Sequence, residues 1–227
     1  MHDPRAVAEN LTGEFRDAFG DDLRSAVLFG SVARGEAIPG ISDVNVLILL
    51  DRIGPVELDR AAPLARAWVR AGNTPPLLVE EGEFPRMHDT FAIEISDMAG
   101  AREVIYGKDP LSSDSLPDAG ELRLHAEREI RQTLLQLRLR MLLTAGDPFE
   151  LANLLLSGIP SFGSYMRAAI RLDNGRAPND TESTITAAAA LIGADPEPML
   201  RTAERSSEAI SFSSFSSSES TAGGATV

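Results

Sequence analysis

The chain has 227 residues, 43% of them hydrophobic and 24% charged, with a formal net charge of −13 and no cysteine. That composition suits one large globular domain or two small ones; it excludes disulfides and thiolate metal sites and argues against broad binding to nucleic-acid phosphates. No apolar run approaches the roughly 20 residues that span a bilayer. The start, Met1-His2-Asp3-Pro4-Arg5, lacks the basic-then-apolar pattern of a secretory signal, so a cytoplasmic protein with no membrane segment is expected.

In chain order, Val7, Leu11, Phe15 and Phe19 recur every four residues, which predicts a helix over Pro4–Phe19 ended by Gly20-Asp21-Asp22. Ala26-Val27-Leu28-Phe29 is short, apolar and stopped by Gly30-Ser31, as a buried strand would be. A turn-rich loop, Gly35 to Ser42 with Pro39 and Gly40, leads to Asp43-Val44-Asn45 and a second apolar strand, Val46 to Leu50. Side chains alternate along a strand, so Asp43 and Asn45 share one face while Val44 points into the core. Gly54-Pro55 opens a helix through Leu58, Ala62, Ala65 and Val69, in which Pro63 predicts a kink or a break. Pro76–Glu80 reads as a third strand and Phe91–Ile95 as a fourth, with Glu94 between two apolar neighbours. Asp97 is expected to cap whatever follows Ile95.

The pattern then changes. Ser112–Gly120 is a polar linker, and beyond it Leu122, Ala126, Ile130, Leu134, Leu137 and Met141 form the stripe of a long helix. Shorter helices are expected at Phe149–Leu156, Ser161–Leu172, Thr181–Ile192 and Pro196–Arg201. The expected fold class is therefore α+β: a mixed sheet with flanking helices over 1–111, a linker over 112–120, a helical bundle over 121–205 and a disordered Ser-rich tail over 206–227.

Two oxygen-bearing side chains facing a Gly-Ser turn can hold a metal ion and a phosphate together. Gly30 permits close backbone approach, and the Ser31 hydroxyl can donate to a phosphate oxygen. Arg34 could neutralise phosphate or brace the loop, and the sequence does not separate these roles. The turn is neither a Walker loop nor a dinucleotide fingerprint, since no Gly-Lys-Ser/Thr follows and the glycine spacing is wrong. His2, His88 and His125 are scattered without ligand spacing.

Gly30-Ser31-Val32-Ala33-Arg34-Gly35 followed by Ser42-Asp43-Val44-Asn45 resembles the signature of the nucleotidyltransferase superfamily of the DNA polymerase beta type. It is most similar to small bacterial members related to aminoglycoside nucleotidyltransferases and to minimal antitoxin nucleotidyltransferases. The resemblance implies a nucleotidyltransferase that binds Mg²⁺ and a nucleoside triphosphate, ATP first among them. Gly30, Ser31 and Arg34 would meet the nucleotide, and Asp43, Asn45 and Glu94 would hold the metal. Asp43 and Glu94 would be catalytic, Glu94 as the third carboxylate and general base. The acceptor would be a hydroxyl on a small molecule or a protein. One departure stands out: Asn45 occupies the place of the family's second carboxylate, which removes a full negative charge beside a divalent ion. That keeps a second class open, a catalytically weak or inactive relative acting as an antitoxin-like regulator with a toxin-like protein partner.

Overall fold

The computed structural model describes residues 3–37, 43–112, 116–144 and 147–205, without the side chains of 155–161. The tail from Ser206 and the middle of the Gly35–Ser42 loop lie outside the described residues. The chain divides into two compact units, Met1–His125 and Ala126–Val227.

The first unit is built on a four-stranded mixed sheet: β1 (Leu23–Phe29), β2 (Asn45–Leu50), β3 (Leu77–Glu80) and β4 (Arg102–Gly107), in the order β3-β2-β1-β4. β1 is antiparallel to β2 and β4, and β2 runs parallel to β3. Five helices accompany it: α1 (Pro4–Phe19), the one-turn α2 (Ser31–Arg34), α3 (Pro55–Arg70), α4 (Ala92–Gly100) and the start of α5 (Ala119–Leu143). The α+β fold expected from the sequence is the fold observed.

Strand parity sorts the core into two layers. Val44, Val46, Ile48 and Leu50 face Ala8, Leu11, Phe15 and Phe19 of α1 and Ala61 and Trp68 of α3. Leu47 and Leu49 face the other way, onto Ile95 and Met98 of α4, with Val27, Val79, Phe84 and Leu111 around them. Full burial of each such side chain contributes about 1.5–3 kcal/mol against the entropy of ordering it, so the central strand is held from both sides.

Local chemistry sets the helix ends. The Asp3 side chain accepts from the Arg5 N–H at 3.0 Å with Pro4 at the first helical position. The Glu57 carboxylate accepts from the Gly54 N–H at 2.9 Å, which holds its pKa below the usual carboxylate value. α3 runs through Pro63 without the break that was one of the two alternatives expected there. Pro63 sits on the exposed side, where water can serve the carbonyl that loses its helical partner.

The strand expected at Phe91–Ile95 is instead the beginning of α4. Five residues of Phe-Ala-Ile-Glu-Ile alternate well enough for a strand. Extended to Met98, the buried positions Ala92, Ile95 and Met98 follow helical spacing, and that longer stripe is what packs against Leu47 and Leu49. The fourth strand is Arg102–Gly107, a stretch to which the sequence pattern assigned no element.

The second unit is helical in its described residues: the rest of α5, α6 (Pro148–Asn174), α7 (Thr181–Ile192) and helical backbone at 197–205. The two helices expected at Phe149–Leu156 and Ser161–Leu172 are one continuous α6. Asp147 caps its start, accepting from the Phe149 and Glu150 N–H groups, and Gly175 caps its end. Asp180 caps α7 through the Ser183 N–H at 2.7 Å.

Gly107 ends β4 at φ 77°, and a Cβ there would lie 1.9 Å from the Arg24 carbonyl oxygen. Gly107→Ala should combine roughly 1–2 kcal/mol of left-handed strain with that overlap. Thermal denaturation should show a melting temperature lower by at least about 4 °C; an unchanged value would mean that β4 does not approach β1 this closely.

Candidate functional site

The site expected from the sequence lies where β1 ends and β2 begins. Register pairs Phe29 with Asn45 and Leu28 with Val46, so the turn after Phe29 meets the first residue of β2. Gly30 takes φ 84°, and a Cβ on it would stand 3.1 Å from the Asn45 amide nitrogen. The Asn45 amide therefore crowds the space that a side chain at position 30 would need. Ser31 follows as the first residue of α2, half-buried.

β2 begins at Asn45, so Asp43 precedes the strand rather than lying in it. The alternation persists: Asp43 is exposed, Val44 is 5% exposed, and Asn45 is half-buried on the α4 side of the sheet. The Asp43 carboxylate accepts from the Thr74 hydroxyl at 2.7 Å, and Asn45 donates its amide N–H to the Asp43 carbonyl at 3.4 Å. The Val44 N–H donates to the Asn73 side chain at 3.4 Å, while the Thr74 carbonyl accepts from the Trp68 indole at 2.8 Å. Buried Trp68 on α3 thus fixes the Asn73-Thr74 turn, and the turn fixes Asp43. Sequence reading missed Asn73 and Thr74; the one signal available was a polar pair after Gly72 at a helix end.

Arg34 closes α2 with its side chain 12% exposed. Its Nη1 lies 3.5 Å from Asp97 Oδ2, on a carboxyl group in a side chain 13% exposed, and its Nε lies 3.8 Å from Glu36. Asp97 is inside α4 and does not cap a turn after Ile95, which corrects the expectation for it. Glu94 is in the first turn of α4 and exposed, so it is not on the strand where the third carboxylate implied by the resemblance was expected.

The donor set decides what cation this arrangement suits. Mg²⁺ takes one or two carboxylates and completes its shell with water and phosphate oxygens. Asp43, exposed and oriented by Thr74, with the Asn45 side-chain oxygen two residues on, fits one such ion. A pair of ions needs more carboxylate charge. β1 offers Phe29 opposite Asn45, and β3 first pairs with β2 at Leu47↔Leu77, preceded by Thr74-Pro75-Pro76. On β4, Glu103 is ion-paired to Arg5 of α1 at 2.8 Å. Among the described residues no three His, Asp or Glu side chains converge on a common point. The residues fit one hard cation and do not fit two.

The Gly30-Ser31 turn thus lies against an acidic-polar strand start on a mixed sheet. Residues 9–99 match the family model of the nucleotidyltransferase domain. The Methanocaldococcus jannaschii protein named "Putative protein adenylyltransferase MJ1305" is 37% identical over 83 residues, which cover 33% of this chain and 56% of that protein. The chain thus spans little more than half the length of that relative. Among solved structures, spectinomycin adenyltransferase AAD(9) from Enterococcus faecialis, with ATP and spectinomycin, aligns at TM-score 0.48 and 13% identity over 85% of this chain and 87% of that one. A toxin-antitoxin structure with AMP-PNP aligns at TM-score 0.31 and 17% identity over 60% of this chain and 94% of that one.

The approach of turn and strand is measurable without any ligand. Gly30→Ala should destabilise the protein by roughly 1–2 kcal/mol through its positive φ, plus the cost of displacing Asn45. The same substitution in an Asn45→Ala background should cost less, by about 0.5 kcal/mol or more in a denaturant double-mutant cycle. Equal cost in both backgrounds would show that the two residues do not touch.

Proposed function

We propose that this chain binds a nucleoside triphosphate, ATP first among them, with Mg²⁺ at Gly30, Ser31, Asp43 and Asn45. It would transfer the nucleoside monophosphate to a hydroxyl of a small molecule or a protein and release pyrophosphate. The observation that carries the reading is the close approach of the Asn45 amide to Gly30, with Asp43 exposed two residues before it. A glycine at 30 permits close approach to the backbone of the turn, and the Ser31 hydroxyl can donate to a phosphate oxygen. Asp43 and the Asn45 side-chain oxygen would hold the ion, which when bound neutralises phosphate charge. Thr74 keeps the Asp43 carboxylate oriented by its 2.7 Å hydrogen bond. Glu94, exposed on a helix, takes no part in this reading. The absence of cysteine accords with a cytoplasmic setting.

Asn45 favours a second reading, in which the chain binds nucleotide without transferring it and acts as a regulator on a partner protein. One carboxylate holds less charge at the phosphates than two, and loss of ligand-shell groups costs on the order of 10–100-fold in metal affinity or activity.

Calorimetry with each nucleoside triphosphate, with and without Mg²⁺, should show Mg²⁺-dependent binding that Asp43→Ala weakens about ten-fold or more. Equal affinity in the wild type and Asp43→Ala would remove the site. Labelled-nucleotide transfer to a panel of hydroxyl acceptors and to protein then separates the two readings. Transfer by the wild type, rising about ten-fold in Asn45→Asp, supports the enzyme; intact binding with no transfer by either form supports the regulator.

A further inference from the structure

The turn that carries Gly30 and Ser31 rests on α2, a helix of only four residues, Ser31–Arg34. A single turn of helix does not hold itself in water, since fixing its dihedrals gains very few hydrogen bonds. Two supports reach it from opposite sides of the sheet. Val32 and Ala33 pack on the α1/α3 layer of the core. On the other side, Arg34 reaches Asp97 of α4 at 3.5 Å. α4 is itself seated by Ile95 and Met98 on Leu47 and Leu49 of β2, the strand that begins with Asn45. Asp97 is therefore fixed to β2 through packing and joined to the turn through Arg34. Both side chains are nearly nine-tenths buried, at 13% and 12% exposure, where a charge pair is little screened by solvent.

We propose that Asp97 is a positioning residue: through Arg34 it holds the Gly30–Ser31 turn at the distance from Asn45 and Asp43 that a bound phosphate requires. This rests on the nucleotide-binding reading for its consequence but not for its structural content. Arg34 is then primarily a brace, its charge met by Asp97 and by Glu36 at 3.8 Å, rather than a group held ready for phosphate. Sequence gives no warning of the pairing, since the two residues lie 63 positions apart.

Two measurements test it. In the free protein, backbone hydrogen exchange reads the order of α2 through the Arg34 N–H bonded to Gly30 at 3.0 Å and the Glu36 N–H bonded to Ser31 at 3.0 Å. Asp97→Asn should accelerate exchange at these amides about ten-fold, while Gly107→Ala, at the other end of β4, should leave their local exchange alone. Unchanged exchange in Asp97→Asn overturns the proposal whether or not nucleotide binds. In the second measurement, Asp97→Asn should weaken Mg²⁺-dependent nucleotide affinity about ten-fold, Asp97→Glu should recover part of it, and Asp97→Asn should add nothing in an Arg34→Ala background. Independent, additive losses would mean that Asp97 does not act through Arg34. Tighter binding by Asp97→Asn would mean that it competes with phosphate for Arg34, and would likewise overturn the proposal. A wild type that binds no nucleotide defeats the function proposed above, and the exchange measurement still decides the role of Asp97.

Discussion

The register of β1 on β2 is the constraint on which the rest depends. Phe29 opposite Asn45 brings the turn at Gly30 against the first residue of the second strand. Because side chains alternate, a slip of one residue would send Asn45 into the α1/α3 core and Val44 toward solvent. The apolar content of β2 forbids that slip: Val46, Leu47, Ile48, Leu49 and Leu50 are each 2% exposed or less, and each fills a place in one of two cores. Packing of five aliphatic side chains thus fixes the position of two polar ones to which it has no chemical relation.

Around that register the protein spends several polar contacts on holding short elements still. Trp68 holds the turn at Asn73-Thr74, Thr74 holds Asp43, and Arg34 is held by Asp97. At the far end of α4, Arg102 makes a two-nitrogen contact with the Asp109 carboxylate and also donates to the Ala99 carbonyl. Burial pushes the Asp109 carboxyl up, but the Arg102 guanidinium and the Leu111 N–H outweigh it and leave the group below the usual carboxylate range. α4 is thereby anchored at its end by Arg102 and along its length by Ile95 and Met98. That is why a residue on α4 can act as a fixed point for the turn.

The same geometry exposes what the site lacks. A sheet face with Asp43 and Asn45 at its rim, Phe29 beside them and prolines leading into β3 offers one carboxylate where two ions would ask for more. Charge elsewhere does not compensate: Asp97 is committed to Arg34 and Glu103 to Arg5. On the function proposed above, nucleotide capture and nucleotide transfer are separate demands, and a single carboxylate would serve the first more fully than the second.

Local pattern was enough for the first helix, the first three strands and the Gly30-Ser31 to Asp43 spacing, because each depends on periodicity or turn chemistry within a few residues. That spacing also carries the resemblance to the nucleotidyltransferase domain whose model matches residues 9–99. Local pattern could not decide α4, because Phe91–Ile95 alternates over five residues and only Met98, packed on Leu47 and Leu49, reveals the helical stripe. Nor could it exclude a break at Pro63 or join the two expected helices into α6, where capping and packing over the whole helix outweigh one lost hydrogen bond. The partners of Asp43 and Arg34 came from tertiary structure alone. Thr74 and Asp97 lie 31 and 63 residues away in the chain, and a contact at such separation leaves no periodic trace in sequence.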